Sequence, residues 1–192
     1  MIIACLGDSI TAGSPLWDPD PDVRAQIAAP DERSQWHWWA AQRDPSLEFR
    51  NHGVYGERTD EIALRFGAAV DGVEAIVIQG GINDVAQRRP VETAAQNLAG
   101  MTQRARSLGL RVALVDVLPW PNGDERAAAD IVRLNALLTS LASGLGVPLL
   151  PFNATLADPE APERMRAGLS DDGDHPSVEG HRLLGEQAFR PF

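Results

Sequence analysis

Near the start of the chain stands Gly7-Asp8-Ser9-Ile10-Thr11, and near its end Asp171-Asp172-Gly173-Asp174-His175-Pro176-Ser177. A serine straight after an apolar run, with a distant histidine that has an acid three residues before it, makes the parts of a serine hydrolase. A serine hydroxyl is a weak nucleophile until a base takes its proton, and the imidazole that does so needs a carboxylate to orient it. Two segments between these blocks, Gly53-Val54-Tyr55-Gly56-Glu57-Arg58-Thr59 and Gly80-Gly81-Ile82-Asn83-Asp84, carry groups able to donate hydrogen bonds to an oxyanion.

Each block also has a plainer reading. Ser9 can be a helix N-cap. The acidic stretch before His175 can be a turn leading into a helix with Pro176 at its first position. Asn83 can be a turn residue, since asparagine tolerates such conformations. Gly53 can simply end a strand. A metal is the sharper rival around His175, but one histidine in a single acidic loop lacks a second ligand cluster, so no metal is expected. His37, His52 and His181 have no acid at the required spacing and default to structural roles, with His181 facing away from the site. Gly7 to Ser14 lacks the lysine of a phosphate loop, and the chain has no lysine at all.

These residues need elements to hold them. Ile2 to Leu6 reads as a buried strand, Leu47 to His52 as a weaker second, and Glu74 to Gln79 as a third ended by Gly80-Gly81. Arg111 to Leu118 makes the fourth strand and Val147 to Phe152 the fifth. Between them lie helical patterns: one from Thr59-Asp60-Glu61 to Val70, one after Pro90 closed by Gly109, and one from Asp124 to Gly144 or Gly146. A last helix runs from about Ser177 to Phe189. Strand-helix alternation of this kind predicts a parallel sheet covered by helices on both faces, with sites beyond the carboxyl ends of the strands. Ser9, Asn83 and the loop Pro119 to Gly123 all fall on that rim. Gly13 to Pro30, rich in proline and aspartate, reads as a long loop beside it.

Composition bounds the rest. A chain of 192 residues with no linker or repeat is expected to form one domain over 1–192. Hydrophobic residues make up 44%, and the apolar runs are strand-sized, so neither disorder nor a membrane span is expected. The net charge of -10 and the lack of a long basic cluster argue against nucleic acid or an anionic membrane as partner. Cys5, alone and inside an apolar strand, is a buried small hydrophobe. Strand-like sequence begins at Met1 with no leader pattern ahead of Ser9, so the cytoplasm is the expected compartment.

Taken together, the four blocks resemble the SGNH branch of the GDSL hydrolase family, in the right order and across the chain. The resemblance implies a flavodoxin-like three-layer α/β/α sandwich with a five-stranded parallel sheet. It makes Ser9 the nucleophile, His175 the general base and Asp172 the acid, although Asp171 and Asp174 lie close by in sequence. It assigns the oxyanion donors to the backbone N–H groups of Ser9 and Gly56 and to the side-chain amide of Asn83. Glycine at position 56 would serve either to spare room near the acyl carbon or to permit positive φ. Asp8, Thr11 and Asp84 are expected to brace the loops.

The chemistry implied is ester hydrolysis through an acyl-enzyme, with a small-molecule ester as partner and no cofactor. Short acyl or acetyl esters are favoured because no lid domain or apolar insertion is visible. Acyl transfer, thioester or lysophospholipid hydrolysis on the same residues, and an idle binding domain, are the other readings. Trp17 and Trp120, each in a proline-rich loop by the rim, are candidates to touch substrate. Trp36-His37-Trp38-Trp39, in a helical stretch, is assigned to core packing.

Overall fold

The computed structural model describes residues 1–192. Five strands form one sheet: β1 (Ile2–Gly7), β2 (Glu48–Gly53), β3 (Ala75–Ile78), β4 (Arg111–Val115) and β5 (Leu149–Leu150). Their order is β2-β1-β3-β4-β5 and every pairing is parallel. Helices α1 (Ser9–Ala12), α2 (Pro21–Arg24), α3 (Trp36–Arg43), α4 (Thr59–Ala69), α5 (Ile82–Ala86), α6 (Val91–Ser107), α7 (Glu125–Leu145), α8 (Phe152–Leu156) and α9 (Val178–Leu183) complete the chain. This is the expected α/β/α sandwich.

Alternation along each strand divides the core. Ala4 and Leu6 of β1, Ile76 and Ile78 of β3, and Val112 and Leu114 of β4 face the layer made by α4, α6 and α7. Ile3, Cys5, Ala75, Val77, Ala113 and Val115 face the other layer, where Trp36 of α3 meets Phe152, Leu184 and Phe189. Both faces are covered by buried apolar side chains, which is why the strands read as continuous apolar runs rather than alternating ones. Trp36 is fully buried with its ring against Phe49, Phe152 and Phe189, so it serves packing. Cys5 is also fully buried, and burial raises its thiol pKa well above the ordinary value. No helix is long and apolar enough to cross a membrane.

Two strands stop earlier than their apolar sequence implies. β4 leaves the sheet after Val115 because side chains take over its backbone groups. The Val117 N–H donates to Asn135 Oδ1 at 2.7 Å, and its carbonyl accepts from Asn135 Nδ2 and Asn153 Nδ2. Asp116, just past the end of β4, accepts the Asn153 N–H at 2.7 Å, which caps α8 where the helix's own N-cap is Pro151. Pro151 and Phe152 therefore leave β5 for a helix, and that strand keeps only two residues. The expected last helix is split: α9 passes into a π turn over Leu184–Ala188.

Register decides where the rim lies. Gly7 pairs with Gly53, and Leu6 with both His52 and Ile78. The carboxyl ends of β1, β2 and β3 are thus level, and the loops leaving them rise side by side. In this strand order β1 and β3 flank the switch point where connections diverge to opposite faces, the place such sheets leave a crevice.

Candidate active site

The chain turns into α1 directly from β1. Asp8 caps that turn, its Oδ1 accepting the Ile10 N–H at 2.9 Å. Ser9 is then the first helical residue, whose N–H has no intrahelical acceptor. Asp8 is wholly buried, and burial pushes its carboxyl up to about 6 despite the bonds it accepts. Its Oδ2 accepts from Gln79 Nε2 at 2.9 Å, while Gln79 Oε1 accepts from the Thr11 hydroxyl at 2.8 Å. Asp8 and Thr11 therefore brace the serine turn through Gln79, a residue without any motif to mark it.

His175 reaches this turn from the other end of the sequence. Its Nε2 lies 3.1 Å from Ser9 Oγ, and its Nδ1 lies 2.7 Å from Asp172 Oδ2. An ionised carboxylate only accepts, so Nδ1 carries the proton and Nε2 is free to accept from the serine hydroxyl. Asp172 Oδ1 also accepts the backbone N–H of His175 at 2.7 Å and of Asp174 at 2.8 Å. Burial would raise the Asp172 pKa, but these bonds outweigh it and hold the carboxyl below its ordinary value. Asp174 turns instead to Trp120 and Asn122, and Asp171 is exposed. Of the three acids in that loop, Asp172 alone bonds the imidazole.

Gly53 and Gly56 separate clearly. A Cβ on Gly53 would lie 2.1 Å from the Ala12 backbone nitrogen, so Gly53 lets β2 pack against α1. Gly56 has φ +78° with open space around its Cβ position. Left-handed backbone, rather than crowding, is what calls for glycine there. Asn83 sits in α5 and donates one amide hydrogen to the Glu57 carbonyl at 2.9 Å. That bond orients the amide beside Gly56 and leaves its second N–H available. Asp84 accepts both the N–H and the hydroxyl of Thr59 at 2.9 Å, clamping the start of α4 to α5.

Between these groups lies a cleft of about 160 Å³, lined by Ser9, Ile10, Tyr55, Gly56, Ile82, Asn83, Ala86, Trp120, Asp174 and His175. Trp120 is on its wall. Trp17 is not, and neither is any other residue of the Gly13 to Pro30 loop. That loop folds on itself around α2: the Trp17 ring lies 4.6 Å under the Arg24 guanidinium, which donates to the Asp18 carbonyl at 2.7 Å. Cation–π and hydrogen bonds inside the loop thus consume the tryptophan. Tyr55 takes a place that no motif announced. It is 66% exposed with its ring 6.0 Å from that of His175, and its position next to Gly56 was the available signal. His181 is fully buried, makes no hydrogen bond to Ser9, His175 or Asp172, and has no partner for either ring nitrogen.

Residues 5–183 match the GDSL-like Lipase/Acylhydrolase family. The protein belongs to that family. Membership places the chain among ester-hydrolysing enzymes and accounts for the order of its four blocks. Solved structures agree on the fold. A G-D-S-L family protein from Desulfitobacterium hafniense superposes with a TM-score of 0.79 at 24% identity, over 96% of this chain and 95% of that one. A member of the lipolytic G-D-S-L family from Veillonella parvula gives 0.76 at 21% identity, over 96% and 94%. An acetylxylan esterase from Geobacillus stearothermophilus, in a catalytic-mutant form, gives 0.75 at 16% identity, over 96% and 90%. Comparison with curated proteins finds no significant match.

Proposed function

We propose that this GDSL-family hydrolase is a serine esterase that cleaves short-chain carboxylic esters through an acyl-enzyme on Ser9. The observation that carries the reading is the unbroken line from Ser9 Oγ to His175 at 3.1 Å and on to Asp172 at 2.7 Å. His175 Nε2 takes the hydroxyl proton as Oγ adds to the ester carbonyl carbon. Charge building on the carbonyl oxygen meets the N–H groups of Ser9 and Gly56 and the free amide hydrogen of Asn83. Asp172, ionised throughout, offsets the charge of the imidazolium. Collapse breaks the carbon–oxygen bond, and the leaving alkoxide takes the proton from His175. Water then adds to the acyl-enzyme with His175 again as base, and acid and free serine result.

A cleft of about 160 Å³ suits a small acyl group better than a long chain. The acetylxylan esterase among the structural relatives supports the same preference. The test is hydrolysis of p-nitrophenyl esters from acetate to palmitate by the wild type and by Ser9→Ala. Ser9-dependent cleavage that is fastest on short chains is the expected result. Equal rates in the two proteins would remove Ser9 from the reaction.

A further inference from the structure

Trp120 stands between two spaces. On one side is the cleft over Ser9. On the other is a cavity of about 10 Å³, room for about one water, among Ile10, Ile82, Val115, Leu118 and Phe152, with Gln79, Asp116 and Asp174 also on its lining. Ile10 and Ile82 line both, so the indole is what divides one mostly apolar hollow into an open part and a more enclosed one.

The indole is held in that position by the loop that carries Asp172 and His175. Trp120 Nε1 donates to Asp174 Oδ1 at 2.7 Å, a charge-assisted bond. The same oxygen accepts from Asn122 Nδ2 at 2.9 Å, and that amide also donates to the Asp172 carbonyl at 2.9 Å. The wall of the cleft is therefore fastened to the acid loop at three points, across 50 to 54 residues of sequence. Packing alone would leave a half-buried tryptophan free to swing, whereas an N–H bound to a carboxylate fixes its edge.

The three groups on an ester carbonyl carbon have different destinations. Its oxygen goes to the donors of Ser9, Gly56 and Asn83. The leaving oxygen must lie within reach of His175 Nε2. What remains for the acyl chain is the apolar side, floored by Ile10 and Ile82, the chain neighbours of Ser9 and Asn83, and ended by Trp120. We propose that Trp120, latched by Asp174, closes the acyl side of the cleft and sets the length of acyl chain the enzyme accepts. This rests on the serine-esterase reading above. With the indole removed, the floor continues into the space behind it, and a longer chain gains apolar contact.

The test compares wild type, Trp120→Ala and Trp120→Phe on p-nitrophenyl esters from acetate to decanoate, and on a series of acetate esters with alcohols of rising length. Ser9→Ala and thermal melting are run alongside. Each buried methylene is worth about fourfold in kcat/KM. Trp120→Ala is therefore expected to raise the octanoate-to-acetate ratio of kcat/KM at least about tenfold. Trp120→Phe, which keeps a ring and loses the N–H, shifts the ratio in the same direction by less. An unchanged acyl profile in a folded Trp120→Ala overturns the proposal, and if that variant does not fold, an unchanged profile in Trp120→Phe does so. A shift confined to the alcohol series overturns the assignment of this space to the acyl group. Absence of Ser9-dependent cleavage on every ester overturns the esterase reading itself, and the proposal with it.

Discussion

Arg65 and Glu57 form a forked pair, with Nη2 2.5 Å from Oε2 and Nε 3.0 and 2.8 Å from the two carboxylate oxygens. The same guanidinium donates to the carbonyls of His52 at 2.9 Å and Gly7 at 3.1 Å. One side chain thus ties the ends of β1 and β2 to the loop that presents the Gly56 N–H. A planar fork of five donors can do this, and a lysine ammonium cannot.

Arg65→Lys is expected to lower kcat about ten- to a hundredfold on a short ester while moving KM less, since a misplacement of ~1 Å costs up to ~10²-fold. Steady-state kinetics with thermal melting reads this. A variant within twofold of wild type would mean the Gly56 loop holds its place without Arg65.

Ser9→Ala and His175→Ala should each reduce kcat by at least about a thousandfold, and the double variant should be no slower than either single one. Groups that act as one unit lose their whole contribution when any member goes. Multiplying losses in the double variant would show that the two side chains act independently, despite the 3.1 Å contact between them.

Removal of one oxyanion donor costs roughly 10²–10³ in kcat. Asn83→Ala is expected to fall in that range with little change in KM, because in the proposed mechanism the amide meets charge that develops only in the transition state. The same substitution also frees the Glu57 carbonyl, so circular dichroism and melting should accompany the kinetics. A loss expressed mainly in KM would place Asn83 in ground-state binding instead.

Buried histidines should make the protein acid-sensitive. His181 is pushed down to about 3 and His37 to about 4, in both cases chiefly by burial. Each stays neutral in the fold while the unfolded chain takes up its proton near the ordinary histidine value. Their contribution is full above about pH 6.5 and is lost as pH falls toward 4 and then 3. Asp8 and Asp116, raised by burial to about 6 and about 7, act the other way, since protonation relieves the cost of burying their charge. A single substitution isolates one group. His181→Leu should gain about 2 kcal/mol relative to wild type between pH 7.5 and pH 5, at about 1.4 kcal/mol per pH unit below 6.5. Urea denaturation at the two pH values measures it, and an equal difference at both would show that His181 does not titrate in this way.

Much of the architecture is local and so was legible. Apolar runs of strand length and helical patterns of about three to six turns follow from periodicity, and their alternation restricts the sheet to parallel pairing. Errors came where side chains compete with the ladder. Val117 reads as strand, but the amides of Asn135 and Asn153 satisfy its backbone, and nothing in the spacing of those residues announces it.

The same division runs through the site. Asp172 stands three residues before His175 in one tight turn, so the chain itself brings carboxylate and imidazole together. Gly56 and Ser9 are likewise local: a left-handed backbone position and the first residue of a helix after a strand. Folding alone decided which distant side chains meet these groups. It sent Arg65 to the Gly7 and His52 carbonyls, Gln79 to Asp8, and Trp120 to Asp174, while it turned Trp17 under Arg24 and out of the cleft. The reason is physical: short-range geometry is written in residue spacing, whereas the direction of a long side chain is set by the backbones and charges that packing places around it.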